Sequence, residues 1–137
     1  MATINELIRE EENGTISFGD YSLGEKKKLE GFSHAGASYK VKTFKEITRL
    51  EKNDGFLYES TPGSAVTDFT ESADAVSFQV EAEEDLEITV GLAEETSYRV
   101  NVNDKEIGVL KSSLSGKLTF SVEVDPGSPV KVEIKKD

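Results

Sequence analysis

Apolar and polar residues alternate with period two along most of this chain. Ile16 and Phe18 point one way while Thr15 and Ser17 point the other, and Tyr39 and Val41 alternate with Lys40 and Lys42, the pattern of a strand with one wet side. Residues 46–51 and 55–60 flank Asn53-Asp54-Gly55, the strongest hairpin signal in the chain. Thr61-Pro62-Gly63 marks the next turn. Residues 24–37, with Gly24, Gly31, Gly36 and the run Lys26-Lys27-Lys28, read as a loop.

The second half is more regular. Val76, Phe78, Val80 and Ala82 share one parity with Leu86, Ile88, Val90 and Leu92, and polar or small residues fill the positions between. Glu84 is the acidic exception on the apolar parity, so it belongs in a turn that joins strands over 75–82 and 86–92. Tyr98, Val100 and Val102 continue the even parity. It switches to Ile107 and Val109 across the Asn103-Asp104 turn. Leu118, Phe120, Val122 and Val124 form another strand, which Asp125-Pro126-Gly127 ends, and Val130, Val132 and Ile134 form the last.

The opening residues follow a different period. Ile4, Leu7 and Ile8 share a helical face, Thr3 and Glu6 form a capping box, and Asn13-Gly14 supplies a stop. The spacing predicts one short N-terminal helix, with an extended edge segment as the alternative. The expected fold is therefore all-β: a single antiparallel β-sandwich over residues 1–137, two packed sheets of about nine or ten short strands.

Composition narrows the function. Hydrophobic residues make up 36% of the 137, enough for one lean core. The absence of Cys removes disulfides and thiol chemistry, and a lone His removes multi-histidine metal sites. A formal net charge of −11 repels phosphate backbones and anionic membranes, so neither nucleic acid nor a membrane is an expected partner. The charge is uneven: residues 26–52 hold eight basic against three acidic side chains, whereas residues 68–95 hold ten acidic and no basic ones. In one fold these segments partly neutralise each other. Between molecules the same contrast favours self-association or a charged protein partner. Met1-Ala2-Thr3-Ile4-Asn5-Glu6 lacks a basic stretch followed by an apolar one, so a complete gene product of this sequence is expected in the cytoplasm, and a module of a longer secreted chain outside the cell.

Leu92, Thr96, Tyr98, Val100 and Val102 reproduce a spacing that resembles the tyrosine corner of fibronectin type III and related immunoglobulin-like sandwiches. The resemblance covers about eleven residues. Glu94 stands where those domains often carry Pro, and the chain has no Trp for their usual core position. The resemblance implies that the Tyr98 hydroxyl bonds back to the backbone just upstream. It implies adhesive, spacer or ligand-binding work.

Motifs for catalysis are missing. His34 lies in Gly31-Phe32-Ser33-His34-Ala35-Gly36 and reads as a solvent-exposed loop residue with no nucleophile assigned to it. The row Glu81, Glu83, Asp85 and Glu87 spreads its carboxylates too far along a straight strand for one calcium ion and reads as a solvated face. No phosphate loop or other cofactor motif occurs. Among the aromatics, Tyr39, Phe56 and Tyr58 are assigned to the core, whereas Phe44 shares the parity of Lys40 and Lys42 and is a candidate for an exposed ring. The expected function is non-enzymatic binding or self-assembly, with Phe44, Lys40, Lys42 and Arg49 as candidate binding residues. A carbohydrate- or small-ligand-binding module and a small hydrolase using paired carboxylates are the alternatives.

Overall fold

A computed structural model describes residues 3–137. Among them lie thirteen strands and no helix: β1 (Ile8–Glu10), β2 (Ile16–Phe18), β3 (Lys27–His34), β4 (Ala37–Phe44), β5 (Ile47–Lys52), β6 (Gly55–Thr61), β7 (Ala65–Glu71), β8 (Ala75–Glu81), β9 (Leu86–Gly91), β10 (Ser97–Val102), β11 (Lys105–Lys111), β12 (Lys117–Val122) and β13 (Val130–Lys136). They form a seven-stranded sheet in the order β1-β2-β7-β8-β13-β10-β11 and a six-stranded sheet in the order β12-β9-β6-β5-β4-β3. All pairings in both sheets are antiparallel.

The apolar parity becomes the space between the sheets. Val76, Phe78 and Val80 on the seven-stranded sheet and Leu86, Ile88 and Val90 on the six-stranded sheet are all buried. They share one cluster with Tyr98, Val100, Phe120, Val132 and Ile134. Tyr58 of β6 stands at its centre, with its ring edge-on to Phe18 at 5.3 Å and to Phe78 at 5.5 Å, so aromatic contacts lock one sheet to the other. The turn after β8 carries the chain from one sheet to the other, and exposed Glu84 lies in it. Asp85 closes this crossover by accepting a hydrogen bond from the Val124 N–H at 2.9 Å.

Hairpins follow the expected chemistry. Asn53 and Asp54 adopt φ of 49° and 64°, and Asn103 and Asp104 adopt 51° and 65°, the left-handed pair of a two-residue turn whose twist matches its flanking strands. Between the sheets, a ladder of buried hydroxyls satisfies its own members, whereas the buried Tyr21 hydroxyl has no hydrogen-bond partner among the described residues. Thr43 and Thr48 share a 2.8 Å bond, Thr48 donates to the Ser64 carbonyl at 2.9 Å, and the Tyr58 and Ser64 hydroxyls lie 2.9 Å apart. Gly63 passes so close to β4 that a Cβ there would lie 2.0 Å from the Phe44 carbonyl oxygen.

Three expectations are corrected. The N-terminal helix is absent: Ile4 and Leu7 are buried, but the segment turns at Leu7 (φ 72°) and hydrogen-bonds to Gly19, because so few residues gain more from the neighbouring chain than from one helical turn. Thirteen strands replace nine or ten. The additions are β1, β7 and β3, and β3 lies in the stretch expected to be loop: as an edge strand it is wet on both sides for most of its length and so shows no alternation. His34 is not an exposed loop residue. It ends β3 with a side chain 13% exposed, and its Nδ1 lies 2.7 Å from Glu10 Oε2 of β1, tying the edges of the two sheets together.

Candidate functional site

The outward parity of β4 carries Ser38, Lys40, Lys42 and Phe44, while Ala37, Tyr39, Val41 and Thr43 point inward and are buried. The pairing of β4 with β5 sets Lys42 opposite Arg49 and Phe44 opposite Ile47. Lys40, Lys42, Phe44 and Arg49 therefore meet on one surface, the outer face of the six-stranded sheet, with Phe44 half-buried on it. The pairing of β3 with β4 adds a residue that pattern alone did not single out: Lys28 lies opposite Lys42. Lys28, Lys42 and Arg49 thus form a straight row across three adjacent strands. With strands ~4.8 Å apart, its ends are about 10 Å from each other at the backbone.

The row is unevenly neutralised. Arg49 lies 3.5 Å from Glu51 and 3.6 Å from Glu59, and Lys40 lies 3.5 Å from Glu30. Among the described residues, no carboxylate forms an ion pair with Lys28 or Lys42. Partial burial pushes the Lys42 ammonium below the usual lysine range, and Lys26, Arg49, Lys28 and Lys40 push it the same way. The Arg49 atom nearest Glu51 is its Nε, which is buried and makes an ion pair there without a well-formed hydrogen bond. Like charges directly opposite on a sheet cost stability, so the row is a local expense within a chain of net charge −11.

Phe56 corrects a further expectation. Its parity with Tyr58 predicts a core position, but the bulge between Leu50 and Glu51 in the β5–β6 pairing shifts it to the outer face, opposite Glu51. Arg49 lies over its ring at 5.3 Å and Lys117 of β12 at 4.6 Å, so cations occupy the aromatic surface and hold it in place. Gly91 makes room for this: a Cβ there would lie 3.3 Å from the ring and 2.3 Å from the Phe56 carbonyl oxygen. Tyr39 and Tyr58 are in the core as expected.

Two concavities offer other sites. The larger, about 430 Å³, opens between the edges β11 and β12 and is lined by Val102, Lys105, Ile107, Val122 and Glu123. A second of about 210 Å³ lies between the sheets near His34, Tyr39, Lys52, Thr70 and Glu71. Its ionic groups are already paired: Lys52 donates to Glu71 at 2.6 Å and His34 meets Glu10. Residues 81–87 do not converge: Glu81 is buried at the end of β8, whereas Glu83, Glu84 and Asp85 are exposed in the turn. No group of three His, Asp or Glu side chains among the described residues is placed to hold a metal ion.

At the Tyr98 corner, the hydroxyl accepts a hydrogen bond from the Ala93 N–H at 3.1 Å, and Ser112 ties the same turn by donating to the Ala93 carbonyl at 2.6 Å. Among the described residues, no helix is long and apolar enough to cross a membrane. No protein-family model, curated protein or solved structure matches the chain.

Proposed function

We propose that this chain is a non-enzymatic binding domain that meets an anionic partner on the outer face of β3–β5. The row Lys28–Lys42–Arg49 carries the reading: three cations aligned on adjacent strands, two of them without a carboxylate partner, in a molecule that is otherwise strongly acidic. Such an arrangement is unfavourable alone and becomes favourable when an anion sits over it. The occupied ring of Phe56 favours recognition by charge over stacking on a neutral sugar. The Tyr98–Ala93 bond supports an immunoglobulin-like reading of that corner, in keeping with binding rather than catalysis.

Retention on a sulfated, negatively charged matrix at low salt and neutral pH tests the proposal. A protein of net charge −11 passes straight through unless a local patch holds it. The wild-type chain is expected to be retained and released by salt, and the double variant Lys28→Glu, Lys42→Glu to pass through. Flow-through of the wild type, or equal retention of both, refutes the proposal.

A further inference from the structure

The cationic row ends at a sheet edge. β3 is the last strand of the six-stranded sheet, and its side chains are exposed from Lys27 through Gly31. An edge strand presents unpaired N–H and C=O groups, a ready template for another strand. At the far end of β3 this edge is blocked, because His34 is pinned to Glu10 of β1. A bulge between Leu29 and Phe32, with Gly31 at φ 73°, bounds the regular stretch. The free regular stretch is therefore Lys27 to Leu29.

Its two sides differ chemically. Lys28 shares the outer side with Lys42, and Glu30 is taken up there by Lys40 at 3.5 Å, so a strand laid along β3 meets the positive charge of Lys28. Lys27, opposite Thr43, and Leu29, opposite Val41, belong to the inner side, and Leu29 is 37% exposed, so the same strand meets uncovered apolar surface beside a second lysine there. We infer that the edge of β3 from Lys27 to Leu29 pairs with an extended acidic peptide, one carboxylate of which lies over Lys28 and Lys42 while an apolar side chain on its opposite face covers Leu29. The inference rests on the reading of this face as an anion-binding surface. It adds the partner's class and its backbone conformation: an extended strand in which an acidic residue stands next to an apolar one, to meet Lys28 on one side and Leu29 on the other.

The test uses the full chain and a synthetic peptide of alternating Glu and Val, about eight residues long, the length of an ordinary strand. The same peptide methylated on alternate backbone nitrogens keeps its charge and loses the donors that face the edge. The unmodified peptide is expected to bind and to weaken as salt rises. Methylation and the variant Lys28→Glu, Lys42→Glu are each expected to reduce affinity at least ~10-fold, a loss of about 1.4 kcal/mol. Equal binding of methylated and unmodified peptides overturns strand addition. Binding of a sulfated polysaccharide without binding of the peptide overturns the inference and leaves the anion-binding surface standing. Binding of neither overturns both.

Discussion

At the scale of single residues, Lys42 and Tyr58 put opposite loads on the fold. Lys42 stands between Lys28 and Arg49, and a like-charged neighbour on a sheet costs roughly 0.2–1 kcal/mol. Lys42→Glu reverses that sign, so it is expected to raise Tm by about 1–3 °C at low salt, with the gain shrinking as salt is added. Calorimetry at two ionic strengths checks this, and a lowered Tm shows instead that the Lys42 side chain is structural. Tyr58 supports the core and is sensitive to alkali. Burial pushes its hydroxyl up to about 12, against the lowering effect of its hydrogen bonds to Ser64 and Ser60. An unfolded tyrosine titrates near ~10. Neutral Tyr58 therefore contributes its full stability below about pH 10 and loses it as the pH rises towards about 12. Tm is expected to fall across that window. Tyr58→Phe makes the fall shallower, because burial also raises Tyr21 and Tyr39, and it lowers Tm at neutral pH by leaving the Ser64 hydroxyl short of a partner. A pH series of thermal melts on both proteins settles the matter, and identical slopes contradict the assignment.

At the scale of elements, the sheet edges differ in what they admit. β11 ends the seven-stranded sheet with Ile107 and Val109 about half exposed, at 47% and 46%. Antiparallel pairing of two β11 strands about Gly108 would bring Ile107 to Val109, but it would also set Lys105 against Lys111 at both ends. Gly108 itself sits at φ 145°, and the adjoining bulge at Val100/Asn101 breaks the regular ladder. The lysines thus guard this edge against a second copy. Lys105→Thr with Lys111→Thr is expected to increase concentration-dependent association relative to the wild type, read by sedimentation equilibrium. An unchanged mass assigns the protection to the bulge. On β3 the proposed role of the lysines is the opposite: next to Lys42, Lys28 would draw in an acidic strand.

For the molecule as a whole, what the sequence disclosed depended on which strands carry a one-sided load. Val76 through Val80, Leu86 through Val90, and Val130 through Ile134 lie inside as their parity requires, because each strand has one buried and one wet face. β3 was invisible for the same reason: a strand wet on both faces writes no alternation. β1 was hidden in a segment whose apolar spacing fits one helical turn equally well. The candidate residues Lys40, Lys42 and Phe44 could be grouped from their shared parity, but the addition of Lys28 and the displacement of Phe56 depend on cross-strand register and on a bulge, which no single strand records.

The chain builds β3 to β6 as four consecutive neighbours, Lys27 to Thr61, whereas β2 must wait for β7 and β8 for β13. During translation, the meander bearing the cationic row therefore leaves the ribosome complete, while β7, β8, β10, β11 and β13 of the facing sheet are still being made. Nascent chains at that point leave much of the inner side around Leu50 and Tyr58 uncovered and carry the cationic row already formed on the other, so the proposed anionic partner would find its surface built before the core is complete.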